Sequence, residues 1–100
     1  MSDEARLADA RDKLAELRNG FKARLRERVA ELEAAVQSAS AGEAGGVQRT
    51  EALAHKLAGT AGSYGFPEVG EAAAELEALC DAGFDADAAE TLLDRLRRGV

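Results

Sequence analysis

His55 is the only histidine of this chain, and three glycines follow it at intervals of three residues in the stretch AHKLAGTAGSYGF, residues 54–66. A histidine side chain can bind a metal ion, exchange protons, or attack an electrophile through an unprotonated ring nitrogen. The sequence on both sides is helical in character, and glycine weakens a helix more than any residue except proline. The glycines beside the sole imidazole therefore need an explanation, which bears on the chemistry that His55 performs.

The residue types around His55 exclude most enzymatic sites. A zinc site takes three or four ligands, whereas the chain has one histidine and one cysteine, and Cys80 falls in an apolar stripe of a different helix. The glycine spacing matches neither GxxxxGK[ST] nor a GxGxxG after a strand, the two common phosphate-binding loops. A lone histidine on a convex helix also lacks a pocket that excludes water or positions a substrate. We therefore predict no metal, no cofactor and no kinase activity of its own.

A helical wheel at about 100° per residue gives the histidine face an unusual composition. The side opposite His55 carries the expected core residues, which are Leu53, Leu57, Thr60, Ala61 and Tyr64. The face around His55 combines polar and very small residues, namely Gln48, Glu51, Ala52, Ala58, Gly59 and Gly62. Each interior glycine costs about 0.5–1 kcal/mol relative to alanine, so stability does not explain the choice. We predict that this face gives another protein close access to His55.

Two other interpretations of the glycines stay open at the level of sequence. Gly59 and Gly62 are small enough to form a contact seam with another helix of the chain. The helix could instead end at Gly59, although Leu57, Ala61 and Tyr64 continue its apolar period beyond that point.

The composition predicts one soluble, helical domain. The chain of 100 residues contains 23 alanines and 12 leucines but no isoleucine, a balance that favours helix over strand. Its net charge of −6 argues against a nucleic-acid-binding protein. The single cysteine and the charged N-terminus, without a secretory signal or a membrane-spanning run, predict a cytoplasmic protein that does not bind membranes.

Apolar periodicity predicts five helices, at residues 3–18, 21–38, 46–64, 67–81 and 86–98. Asn19-Gly20 is a turn signal and predicts a break or kink between the first two helices, although one longer helix would also fit. Gly65 and Pro67 predict the end of the third helix and the start of the fourth. Short connections favour an antiparallel up-down four-helix bundle, with the first helix as an additional element that caps or flanks one end.

The residues from His55 to Phe66 resemble the signature of histidine-containing phosphotransfer (HPt) domains of bacterial two-component phosphorelays. The family pattern is roughly His-x-Leu-Lys-Gly-Ser/Ala/Thr-Ala/Ser-x-x-x-Gly. The positions that match it are His55, Leu57, Gly59, Thr60, Ala61 and Gly65, and Phe66 supplies the usual apolar residue that follows. The lysine that many members carry three residues after the histidine is replaced here by Ala58.

The resemblance implies that His55 accepts a phosphoryl group, that Gly59 leaves the path to it open, and that the partners are response-regulator receiver domains and a hybrid or cognate histidine kinase. The metal ion, Mg²⁺, is then expected on the receiver rather than on this chain. Lys56 has a side chain long enough to reach back toward His55, and we treat its role near the phosphoryl group as a hypothesis beside that of a solvated lysine.

Two other functions remain possible at this stage. The same fold serves as the phosphoacceptor domain of chemotaxis-type histidine kinases, and a helical adaptor could use the glycine face without phosphorylation. No self-complementary apolar patch is evident in the sequence, which favours a monomer.

Overall fold

The computed structural model describes residues 2–100, and it is built from four α-helices joined by short connections. The helices are α1 (Asp3–Ser40), α2 (Gly46–Ala61), α3 (Pro67–Gly83) and α4 (Ala86–Gly99), with one 3-10 turn at Gly62–Tyr64. The all-α prediction is confirmed. None of the helices within residues 2–100 is long and apolar enough to cross a membrane.

The expected break at Asn19-Gly20 is absent, so the additional N-terminal helix is wrong as a separate element. Residues 3–18 and 21–38 belong to one continuous helix, α1. An interior glycine costs about 1 kcal/mol but does not by itself end a helix. The apolar residues on both sides of Asn19-Gly20 keep a spacing of three and four residues, at Leu14, Leu17, Phe21 and Leu25. They therefore lie on one face of a single continuous helix.

Contacts between the ends of neighbouring helices define the packing. Gly46 at the start of α2 lies against Ala39 near the end of α1, and Phe21 of α1 stacks on Tyr64 just beyond the end of α2. In the pair formed by α3 and α4, Gly99 near the end of α4 lies against Val69 near the start of α3. α1 also contacts α4, where Arg97 donates to Glu33 at 3.0 Å. Each helix therefore runs antiparallel to its neighbours around one shared core.

Local signals define several helix ends. The Asp85 carboxylate accepts a hydrogen bond from the backbone N–H of Ala88 at 2.8 Å and caps α4. Pro67 occupies the first turn of α3, where the missing N–H leaves no helical bond unmade. Gly65 adopts φ = 87°, a left-handed conformation that ends the preceding turn and that a residue with a Cβ rarely adopts. The predicted roles of Gly65 and Pro67 are confirmed.

The N-terminal half of α1 extends beyond the bundle. A helix of 38 residues is about 57 Å long, which accounts for the 60 Å length of a molecule only 18–19 Å across. Residues 3–20 are all exposed, whereas Phe21 begins the buried face of α1. The last turn of this segment touches the bundle, where the Arg18 guanidinium lies 5.0 Å from the centre of the Phe66 ring, and its leucines form an exposed apolar stripe.

The core combines large residues, mainly from α1 and α4, with many small residues from α2 and α3. The five apolar residues that recur every three or four positions in residues 21–38 are all buried, namely Phe21, Leu25, Val29, Leu32 and Val36. Ala54 and Ala61 of α2 are fully buried against them. Because four of the five buried residues of α2 are glycine, alanine or threonine, this helix can approach its neighbours closely.

Candidate functional site

His55 lies in the middle of α2, and 74% of its side chain is exposed to solvent. The buried line of α2 passes through Gly46, Thr50, Ala54, Leu57 and Ala61. This line lies about 40–50° around the helix from the point directly opposite His55. His55 is therefore exposed, but it borders α3 instead of pointing straight away from the bundle.

The rotation changes which residues of α2 form the core. Of the five residues expected opposite His55, Leu57 and Ala61 are buried and Leu53 is half-buried, whereas Thr60 and Tyr64 are exposed. Tyr64 is exposed, contrary to the helical wheel, because the 3-10 turn at Gly62–Tyr64 changes the angle between successive side chains. The small face of α2 packs on α3, where a Cβ added to Gly70 would lie 3.3 Å from the backbone nitrogen of Gly62.

Glu77 of α3 is the closest polar partner of His55. Its Oε2 lies 2.6 Å from Nδ1 of His55, and 29% of the Glu77 side chain is exposed. An ionised carboxylate only accepts hydrogen bonds, so Nδ1 carries the proton and donates to Glu77. In a neutral imidazole with that tautomer, Nε2 has no proton and its lone pair is available for attack. Glu77 thus fixes both the orientation of the ring and the identity of the nucleophilic nitrogen.

Sequence reasoning missed Glu77. Its position next to the inward-facing Leu76 makes it a residue at the edge of the α3 core face. That pattern gives no information about which residue of another helix it meets, because the pairing depends on the rotation of α2 against α3.

The surface around His55 is a shallow, open depression between α2 and α3. Its lining contains four residues expected on the histidine face and two charged neighbours: Gln48, Glu51, Ala52, His55, Lys56 and Glu77. Gln48 and Ala52 are exposed, and Glu51 is half-buried. Lys56 is exposed and also lines the adjoining groove toward α1, which contains Arg28 and Thr60. The structure therefore places a lysine beside His55 although the position of the family lysine is Ala58.

Negative charge is concentrated on the α3 side of the depression. A hydrogen bond with Asp81 raises the pKa of the Glu51 carboxyl, and burial together with the charges of Asp81 and Glu77 acts in the same direction. Burial and the same carboxylates raise the pKa of the Cys80 thiol, which keeps it protonated and unreactive. The site thus has acidic residues along one edge and Lys56 along the other.

The raised pKa of Glu51 predicts a pH-dependent stability effect for Glu51→Gln. A carboxyl whose pKa is higher in the folded state than in the unfolded state destabilises the fold above that pKa, where it is ionised next to Asp81 and Glu77. We expect Glu51→Gln to raise the melting temperature at pH 7 by a small amount. The difference should shrink as the pH falls through the folded pKa of Glu51. Thermal unfolding from pH 3 to 8 measures this, and a constant difference across the range would contradict it.

Side chains at Gly59 and Gly62 would meet no obstacle within residues 2–100. A Cβ atom built on Gly59 or Gly62 would meet no neighbouring atom of residues 2–100 within 4 Å. The close contact between α2 and α3 depends instead on Gly70, whose position faces the backbone of Ala58 and Gly62. Gly59 is exposed, and Ala58 is half-buried against the core. The open surface one turn after His55 is therefore formed by Gly59, while Ala58 belongs to the contact with α3.

Comparison with known proteins adds the family. A family model described as Hpt domain matches residues 7–100, which is nearly the entire chain. Comparisons with curated proteins and with solved structures gave no match. The matched range covers all of α2 and α3, and hence the exposed histidine and the carboxylate that holds it. This chain belongs to the Hpt domain family.

Proposed function

We propose that this chain relays a phosphoryl group between the aspartates of receiver domains through phospho-His55. The Hpt family has a phosphotransfer role in two-component signalling. The observation that supports the assignment to His55 is the 2.6 Å contact between its Nδ1 and Glu77, in a side chain that remains 74% exposed. A histidine held in one tautomer and open to solvent is suited to react with a group that another protein delivers.

The transfer begins with attack by the Nε2 lone pair on the phosphorus of an aspartyl phosphate. The N–P bond forms as the bond between phosphorus and the aspartate oxygen breaks, and the aspartate leaves as a carboxylate. The proton on Nδ1 stays in place, and the positive charge that develops on the ring is stabilised by Glu77 at 2.6 Å. In the second transfer, the aspartate of another receiver attacks the phosphorus and the N–P bond breaks. His55 then returns to its neutral form.

The charges around His55 imply that the partner neutralises most of the negative charge of the phosphoryl group. Glu51 and Glu77 line the depression and repel an incoming phosphoryl group, so its charge must be neutralised from another side. The receiver domain supplies Mg²⁺ in this proposal, and Lys56 adds a cation from this chain. The open depression gives no enclosure for a small substrate, which is consistent with a carrier that works only when a partner covers it.

Glu77→Gln and Glu77→Ala separate the two effects of the carboxylate. Glutamine can accept a hydrogen bond from Nδ1 through its carbonyl oxygen but can also donate one through its amide, so it allows the tautomer without enforcing it and loses the negative charge. Alanine loses both the hydrogen bond and the charge, and replacing such a supporting partner typically costs about 10–100-fold. We expect phosphorylation of His55 to slow about tenfold in the alanine variant and less in the glutamine variant. Rapid-quench measurement of transfer from a phosphorylated receiver tests this order, and equal rates in all three proteins would contradict it.

Lys56→Ala tests the lysine hypothesis. If Lys56 contacts the phosphoryl oxygens, its loss should slow transfer by up to about tenfold, the equivalent of about 1.4 kcal/mol. The lifetime of phospho-His55 should change as well. Arg49→Ala is a suitable control because Arg49 is an exposed cation on the same helix that does not line the depression. Unchanged transfer and lifetime in Lys56→Ala would remove this residue from the site.

The experiment that tests the proposal is transfer from a panel of receiver domains of the source genome, each phosphorylated by its kinase with radiolabelled ATP. The relay predicts that the chain becomes labelled, that the label is lost in acid but stable in alkali, as for phosphohistidine, and that a second receiver removes it. Labelling only by an isolated kinase catalytic domain would favour the chemotaxis-type phosphoacceptor. Receiver binding without any labelling would favour the adaptor.

A further inference from the structure

The exposed apolar stripe on α1 lies outside the bundle. Its three leucines, Leu7, Leu14 and Leu17, are 54%, 66% and 69% exposed. Ala10 lies between them on the same face, and all belong to residues 3–20, where every side chain is exposed. Exposed leucine costs free energy in water, so a repeated stripe of it on an otherwise polar helix calls for a covering surface.

The spacing of the stripe is that of a helix–helix seam. Residues 7, 10, 14, 17 and 21 alternate between intervals of three and four, which is the a/d pattern of a coiled coil. The last of them, Phe21, is already buried and stacks on Tyr64 with ring centroids 4.0 Å apart. The stripe is therefore a direct continuation of the α1 core face. From Phe21 onward other helices of the bundle cover this face, and before Phe21 no other element of residues 2–100 covers its leucines.

Basic side chains border the stripe on both sides. Arg6 and Lys13 lie along one edge and Arg11 and Arg18 along the other, all within about 90° of the centre of the stripe. Asp9, Asp12 and Glu16 lie on the far side of the helix, whereas Asp3 and Glu4 lie at the N-terminal end of the stripe and of its Arg11 edge, respectively. Asp9 pairs with Lys13 at 3.2 Å, but both side chains remain more than half exposed. In coiled coils, these edge positions select the partner through its charges.

A second copy of this chain does not match these edges. In a parallel pair, Arg6 would face the second copy's Arg11, and Lys13 would face the second copy's Arg18. In an antiparallel pair centred on the stripe, Arg11 and Lys13 would each face their own counterparts at the centre of the seam, and the attraction between Glu4 and the second copy's Arg18 would act only at its ends. Both arrangements place like charges beside a seam of only three leucines and one alanine, which is too short to offset them.

A lipid surface fits less well than a helix. Interfacial helices insert a broad apolar face that commonly includes tryptophan or phenylalanine. Residues 3–20 contain no aromatic residue, and their apolar face is the narrow two-position seam typical of helix pairing.

We propose that residues 3–20 of α1 dock a helix of a partner protein whose apolar seam is bordered by aspartate or glutamate. The leucines bury the seam of the partner, and the basic edges pair with its carboxylates. The docking site is separate from His55, so partner binding and phosphoryl transfer use different surfaces of the chain.

Binding of a designed peptide to the full chain tests the proposal. The probe is a fluorescently labelled 21-residue helix with leucine at positions a and d and glutamate at e and g, and its counterpart has lysine at e and g. Anisotropy should show binding of the glutamate peptide at least tenfold tighter than that of the lysine peptide. The preference should weaken as salt rises. Repulsion between glutamates limits pairing of the probe with itself.

Variants identify the surface that binds. Leu14→Ser with Leu17→Ser should weaken glutamate-peptide binding at least tenfold, while Arg11→Glu with Lys13→Glu should abolish the preference for the glutamate peptide over the lysine peptide. Asp12→Asn with Glu16→Gln, on the opposite face, is the matched control and should not reduce affinity for the glutamate peptide. Because these residues lie outside the core, circular dichroism and thermal unfolding should stay nearly unchanged.

Three results would overturn the proposal. The first is equal affinity for the two peptides, or no binding of either peptide. The second is a dimer in sedimentation equilibrium that Leu14→Ser with Leu17→Ser disrupts, which would identify a second copy as the occupant. The third is leucine-dependent binding to phosphatidylserine-containing vesicles without binding to the glutamate peptide, which would identify a lipid surface.

Discussion

His55→Gln should abolish acid-labile labelling of this chain by any phosphorylated receiver, while leaving the fold intact. Glutamine has no nucleophilic nitrogen comparable to that of imidazole, and the chain contains no other histidine that could replace it. The side chain is 74% exposed, so the substitution removes little buried surface. The measurement is label incorporation from a panel of phosphorylated receivers, alongside a thermal unfolding curve of the variant.

Cys80→Ala is the matched control for this result. Cys80 is the other soft nucleophile of the chain, and it is buried with a raised thiol pKa. We expect Cys80→Ala to be labelled like the wild type, since a buried protonated thiol is unreactive. Binding of His55→Gln to an unphosphorylated receiver should persist, because the docking surface is unchanged. Acid-labile label on a folded His55→Gln variant would place the acceptor elsewhere and refute the proposed relay through His55.

Local signals were sufficient to predict most of the helices. Pro67 and Gly65 act through their own backbone, and the structure shows each at the expected helix boundary. The break at Asn19-Gly20 was wrong because a turn signal competes with the strong helix formers on both sides. The regular apolar spacing from Leu14 to Leu25 indicated one continuous helix more accurately than the Asn19-Gly20 turn signal indicated a break.

The apolar periodicity of a single helix does not predict which residues of two different helices come into contact. A wheel identifies an apolar side, but the exact rotation depends on which neighbour packs most closely. In α2 the alanines face α3, which turns Thr60 out to solvent and brings His55 to the edge of α3. The position of Glu77 against His55 follows from that rotation and not from any motif. The carboxylate that determines the tautomer therefore became visible only in three dimensions.

Gly59→Gln should make the protein more stable and yet slow phosphoryl transfer about 100-fold. Replacing an exposed helical glycine by a better helix former adds up to about 1 kcal/mol to the free energy of unfolding. Within residues 2–100, no atom lies within 4 Å of the position that its Cβ would take, so the added side chain meets no obstacle in the chain. It would, however, project into the space one turn from His55 that a receiver must enter. Displacing reacting groups by about 1 Å can cost about 100-fold in rate.

Gly20→Gln provides the comparison that separates stability from access. Gly20 is also an exposed glycine in a helix with open space around its Cβ position, but it lies in α1 at the end of the bundle where Phe21 stacks on Tyr64. Both variants should unfold at higher denaturant concentration than the wild type, while only Gly59→Gln should transfer slowly. If the two variants transferred equally fast, clearance would not explain Gly59. If Gly59→Gln were less stable than the wild type, the glycine would instead have a structural role. The expected combination, greater stability with slower transfer, would show that Gly59 favours access to His55 at the expense of helix stability.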